Sequence, residues 1–177
     1  NTNETLIFRK GNILYNLIEN EKTIRFFHSN KTYLRIQPNF LYDNIEMLRK
    51  LRLVLDNDDL LNNWVFLFEF NIRNKQVNFD CKIGSGDQET RENLFKIYRK
   101  NKDIFTKVDK PLKTKWHQAY QKTILSFNDI ENYIASENRD ELEKIITTRF
   151  RELMDKDLPK LMLKLSEEIM KFNWYFI

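Results

Sequence analysis

Glycine and proline number three each in this 177-residue chain, and cysteine occurs once. A lone cysteine, Cys81, excludes an internal disulfide and any cysteine-rich zinc site. Histidine is almost as scarce: His28 and His117 form neither an HExxH motif nor a Cys/His pair at ligand spacing. A metal centre of those kinds therefore lacks its ligands, and a serine or cysteine triad has no support either. No apolar run approaches the ~18 residues of a membrane span, and no secretory pattern opens the chain. The expectation is a cytoplasmic protein with no membrane partner. Asn1 is no initiator methionine, so the chain is expected to be a fragment or processed piece of something longer.

What is present is a sizeable core in the making. Apolar residues make up 41% and aromatics 14%, with Phe the commonest aromatic, which excludes a disordered chain. The length fits a single domain over residues 1–177. The net charge of +4 is unevenly placed. Lys96, Arg99, Lys100, Lys102, Lys107, Lys110, Lys113 and Lys115 face only Asp103 and Asp109, so that window alone carries +6. Acids outnumber bases eleven to seven from Asp129 to Glu168. A basic patch beside an acidic helical region follows.

Hydrophobic periodicity assigns the elements. Leu6, Ile7, Ile13, Leu14, Leu17 and Ile18 make one stripe of an opening helix that Gly11 interrupts. "KTYLRIQP" is a short strand. Asp43 and Glu46 have the spacing of a capping box ahead of a helix carrying Met47, Leu48, Leu51, Val54 and Leu55, which "DNDD" closes. "WVFLFEFNI" has the apolar character of a central strand. "QVNFDCKIG" alternates, with Val77, Phe79, Cys81 and Ile83 on one face and Asn78, Asp80 and Lys82 on the other. The polar "RNK" between them predicts an antiparallel hairpin. A helix with Leu94, Ile97 and Tyr98 inward, a basic loop and a strand "KWHQAYQKTIL" follow. Two helical stripes close the chain, one on Leu142, Ile145, Ile146, Phe150, Leu153 and Met154. The other runs from Leu158 to Phe172, with Pro159 in its first turn. The fold class is α+β: an antiparallel central sheet flanked by helices, with long C-terminal helices.

Two of the three glycines fall in "CKIGSGDQETRENLF", between strand and helix. A phosphate cradle would need free N–H groups at the helix start. Asp87, Glu89 and Glu92 follow at once, and their carboxylates would occupy those groups and repel an anion. There is no Walker lysine and no GxGxxG. Gly84 and Gly86 therefore read as a structural turn, with Asp87 as N-cap and Arg91 able to pair with Asp87 or Glu92.

Asp80-Cys81-Lys82 is formally a D-x-K, and Glu69 lies on the neighbouring strand. Period two puts Asp80 and Lys82 on one face, as Mg²⁺-dependent phosphodiester hydrolysis requires: carboxylates hold the metal and lysine orients water. The plainer reading is ordinary surface or cross-strand pairing, with a Lys/Asp pair on the polar face of a half-exposed strand, since D-x-K recurs by chance in so charged a chain. Glu69, in an otherwise apolar strand, needs a partner if buried, and Arg73 or Lys82 can supply it.

"WVFLFEF", "FDCKIGSGDQETRENLF", "KWHQAYQKTIL" and "ELEKIITTRFRELMDKDLPKL" together resemble the C-terminal region of a bacterial family in the PD-(D/E)XK nuclease superfamily. The matching positions are Ile83, Gly84, Gly86, Asp87 and Arg91, then Lys115 and Trp116, then Asp157, Leu158 and Pro159. Ser85 stands where the family commonly has proline. The resemblance spans roughly residues 30–165 and implies catalytic carboxylates and lysine upstream of Asn1. It makes this chain the accessory part of a longer nuclease-like protein, needing no cofactor of its own.

Lys96, Arg99 and Lys100 end a helix, where cations oppose the dipole. The loop lysines 102, 107, 110, 113 and 115 have no such explanation. With Phe105 and Trp116 interleaved they could track a phosphate backbone and offer stacking surfaces, or form an ordinary solvated loop. The closing "FNWYFI" would suit docking onto an upstream nuclease domain or another protein partner. The expected function is nucleic-acid binding, or positioning of a nuclease core, without catalysis. The alternatives are a compact Mg²⁺ nuclease using Glu69, Asp80 and Lys82, and a protein-interaction or regulatory module.

Overall fold

A computed structural model of the chain describes residues 11–30, 32–50, 52–53 and 65–171. Helix α1 (Ile13–Asn20) precedes strands β1 (Ile24–Ser29) and β2 (Tyr33–Pro38). Short helices α2 (Asn39–Asp43) and α3 (Ile45–Lys50) lead to β3 (Phe66–Arg73) and β4 (Gln76–Ile83). Then come α4 (Gln88–Lys100), β5 (His117–Leu125), α5 (Phe127–Ser136), α6 (Arg139–Glu152) and α7 (Leu158–Lys171). The five strands lie in the order β1-β2-β3-β4-β5, each antiparallel to the next. The fold is α+β. The calls on Leu6 and Ile7, on Leu51, Val54 and Leu55, on "DNDD" and on "FNWYFI" lie outside the described residues.

Period two sorts the sheet into two unlike faces. Register pairs Leu34 with Phe70, Ile36 with Phe68, Phe68 with Cys81 and Phe70 with Phe79, all on one side and all buried. Helices cover that side: Phe150 of α6 stacks on Phe70 at 6.0 Å, and Tyr98 of α4 meets Cys81 Sγ at 3.5 Å. The hairpin turns on Asn74 and Lys75, both left-handed (φ 53° and 58°), as a two-residue turn matched to strand twist requires.

β1 was not legible in the sequence. Its register shifts between Phe26 and His28, and a bulge of this kind destroys the alternation that identifies a strand. The capping box on Asp43 is not formed. Asp43 is itself the last residue of α2, where its carboxylate faces Arg25 at 3.4 Å, and Glu46 pairs with Arg49. The cap ahead of α5 is a reciprocal one instead: Ser126 and Asp129 bond each other's backbone N–H.

The two closing stripes belong to one run of helix. Residues Leu153–Asp157 form a π turn between α6 and α7, and Leu158 keeps helical angles (φ −64°, ψ −44°). Pro159 lacks the N–H that would bond the carbonyl of Asp155, and its ring crowds that carbonyl. Widening the preceding turn carries the helix past the proline without a break.

Candidate nucleic-acid interface

Glu69, Asp80 and Lys82 do meet, on the sheet face opposite the helices. Glu69 lies directly across from Arg35 on one side and from Asp80 on the other. Two carboxylates so placed repel each other, and cations and amides separate them. Lys82 Nζ bonds Glu69 Oε1 and lies 3.7 Å from Asp80 Oδ2. The Asn71 amide donates to both acids, at 3.3 Å to Glu69 Oε1 and 2.6 Å to Asp80 Oδ2. Arg35 Nε sits 3.4 Å from Glu69 Oε2, Arg73 Nη2 sits 3.6 Å from Asp80 Oδ2, and Gln118 Nε2 donates to Asp80 Oδ1 at 2.7 Å.

This network is not a solvated surface pair. Asp80 is 0% exposed and Glu69 4%, so the half-exposed strand read from the alternation is corrected. Burial raises the cost of any unpaired charge, and every carboxylate oxygen accordingly has a donor or cation beside it. Three cations face two acids, and the Lys82 ammonium occupies the position between carboxylates that a bridging metal would need. Among the described residues no group of three His, Cys, Asp or Glu side chains is arranged to hold a metal ion.

The chain between α4 and β5 is irregular yet firmly held. Phe105 and Val108 are buried, and the Phe105 ring lies 4.2 Å from that of Tyr98. Phe105 therefore offers no stacking surface, which corrects the expectation of two interleaved aromatics. Arg91 does not pair with Asp87 or Glu92. Its buried guanidinium donates to the carbonyls of Gly84 (2.9 Å), Lys113 (2.8 Å) and Thr114 (3.0 Å), and to that of Lys115. His117 adds a second clamp. Its Nδ1 accepts from the Lys113 N–H at 3.3 Å, which leaves Nε2 as the protonated nitrogen facing the Lys107 carbonyl at 3.2 Å. Burial lowers the His117 pKa, the Lys107 carbonyl opposes that shift, and the charges of Lys113 and Arg91 reinforce it. The ring is neutral, and both of its nitrogens are engaged.

With the backbone carbonyls drawn inward, the side chains of Lys102, Lys107, Lys110, Lys113 and Lys115 are exposed. Among the described residues none of the five has an acidic partner within ion-pair distance. Lys107, Lys110 and Lys113 line a pocket of about 360 Å³ whose wall is completed by Thr106, Asp109, His117 and Gln118. Trp116 is 40% exposed, and the Arg35 guanidinium lies 5.3 Å from its ring centroid and 4.3 Å from that of Tyr33. Lys96 and Arg99 are exposed on α4, and Lys100 faces Glu168 at 3.7 Å.

The glycine turn holds this loop in place. Gly84 N–H bonds the Val65 carbonyl at 2.8 Å, and a Cβ on Gly86 would come within 2.6 Å of Val65 Cγ2. Asp87 caps α4: its carboxylate accepts from the Thr90 N–H and hydroxyl, both at 3.0 Å, and these bonds lower its pKa. The sequence reading missed Arg35, Asn71 and Gln118. Arg35 had a usable signal, since alternation in "YLRIQP" separates it from Leu34 and Ile36. Asn71 and Gln118 depend on cross-strand register, which no local pattern encodes.

No protein-family profile, curated protein or solved structure matches the chain.

Proposed function

We propose that this chain is a non-catalytic, nucleic-acid-binding accessory domain of a PD-(D/E)XK nuclease-like protein, with the Lys102–Lys115 loop as its contact surface. One observation carries the reading: five exposed lysines, without acidic partners among the described residues, stand on a backbone clamped by Arg91 and His117. The clamp fixes the backbone from which these lysines project, so their charge stands at a defined place. Phosphates held by these lysines would release counterions, so affinity falls steeply with salt, by a slope of about −0.7 per phosphate contacted on a single strand. Trp116 adds a stacking face, worth about 1–3 kcal/mol per base. Contacts of this kind, to phosphates and by stacking, tolerate any sequence.

The test is binding of labelled single- and double-stranded DNA and RNA at two salt concentrations with Mg²⁺ present, with the products run on a gel. Salt-sensitive binding without cleavage supports the reading. The triple variant Lys107→Glu, Lys110→Glu, Lys113→Glu should then lose binding while its circular dichroism is unchanged. Equal binding by the variant would sink it.

A second reading, a compact Mg²⁺-dependent nuclease, is favoured by the meeting of Glu69, Asp80 and Lys82 on one face. A metal would have to displace Lys82 from between the acids. Cleavage in the same assay, abolished by Lys82→Ala, would establish it.

A further inference from the structure

The pocket within the basic loop has a more specific chemistry than the loop as a whole. Three of its lining residues are cationic and Asp109 is anionic, while burial keeps His117 neutral. Its net charge is thus about +2 at neutral pH. A phosphomonoester carries about −1.5 to −2 under the same conditions, whereas an internal phosphodiester carries a single charge. The volume of about 360 Å³ is at the small end of ligand pockets, which run to ~300–1,000 Å³. A concavity of that size admits one nucleotide's phosphate and sugar. The walls are fixed: Lys107 N–H bonds the Ala119 carbonyl at 3.1 Å, and Lys113 N–H bonds His117. Charge is therefore presented without the cost of ordering a flexible segment on binding.

We propose that this pocket receives a terminal phosphate group, the phosphomonoester of a nucleic-acid end or of a free nucleotide, with Lys107, Lys110 and Lys113 as its ligands. The inference rests on the reading of the loop as a phosphate-binding surface and adds what that reading lacks, a preference for chain ends. Trp116 precedes His117 at the start of β5 and lies outside the pocket lining, so the stacking and phosphate-binding parts of the loop are separate.

The experiment compares internally labelled oligothymidylates of one length, carrying a 5′-phosphate, a 3′-phosphate or hydroxyl ends, by fluorescence anisotropy at constant salt. A phosphorylated end should bind about tenfold more tightly, the step that corresponds to about 1.4 kcal/mol. The advantage should vanish in Lys110→Gln, an exposed position whose change leaves the fold intact. Equal affinity of phosphorylated and hydroxyl ends, or an advantage that survives Lys110→Gln, overturns the inference and leaves general nucleic-acid binding standing. If no oligomer binds, thymidine monophosphate is titrated while the backbone amide signals of Thr106 to Lys110, Leu112 and Lys113 are followed by NMR. Saturable shifts there support the pocket and fail the polynucleotide reading, and their absence overturns both.

Discussion

Gln118 Nε2 donates to Asp80 Oδ1 at 2.7 Å, and Gln118 is also among the residues that line the lysine pocket. One residue of β5 thus belongs both to the buried charge network of the sheet and to the rim of the basic loop. Asp80 is the centre of that network: it is fully buried and holds Gln118, Asn71, Arg73 and Lys82 around it.

Asp80→Ala should accordingly destabilise the fold by about 3–5 kcal/mol, because it leaves buried cations and amides unpaired. In a chain of this size that corresponds to a fall in melting temperature on the order of 10 °C. Thermal unfolding of the variant checks it, and a loss of a degree or two would show that the network is solvated after all.

Arg91 is not replaceable by lysine. Its planar fork reaches carbonyls on both sides of the loop, which a single ammonium cannot span. Arg91→Lys should cost about 2–4 kcal/mol by stranding several buried acceptors. Hydrogen exchange at residues 102–116 should accelerate more than exchange in β3 and β4. Uniform acceleration would mean that Arg91 stabilises the domain as a whole rather than the loop.

The loop should also loosen in acid. His117 has a folded-state pKa below its ordinary value of about 6.5, so its contribution to stability is complete above that pH. The contribution is lost as pH falls through the lowered value, because the charged ring can no longer accept the Lys113 N–H. Amide exchange at Lys113, followed from pH 7.5 to 5, should rise beyond its intrinsic pH trend. His117→Gln should flatten that excess.

Cys81 should resist alkylation in the native state. Burial pushes its thiol up to about 12, the nearby Asp80 charge acts in the same direction, and the Tyr98 hydroxyl only partly opposes them. Iodoacetamide labelling at pH 8 should therefore proceed at a rate set by how often and how long the native structure opens. With a single cysteine in the chain, that rate reports one site. Fast labelling without denaturant would indicate that the cover of α4 over β4 opens locally.

Strands β2 to β5 and helices α1, α4, α6 and α7 are written in local patterns and so were legible, whereas β1 and α5 were not. Alternation in "QVNFDCKIG" separates Phe79 and Cys81 from Asp80 and Lys82, and the glycine turn with Asp87 sets the start of α4. Composition alone placed the lysines together between α4 and β5. Three things lay beyond any local pattern. The burial of Asp80 and Glu69 follows from β2 and β5 flanking the hairpin, and a strand's own alternation does not say whether its polar face is wet. The neutrality of His117 and the reach of Arg91 arise from contacts with backbone more than twenty residues away in the case of Arg91, and with a loop that has no periodicity. The pocket lies in the loop whose backbone those two side chains bond. A sequence specifies which charges a loop carries. Only the tertiary structure decides which of them stand free, because that depends on what every other residue has already paired with.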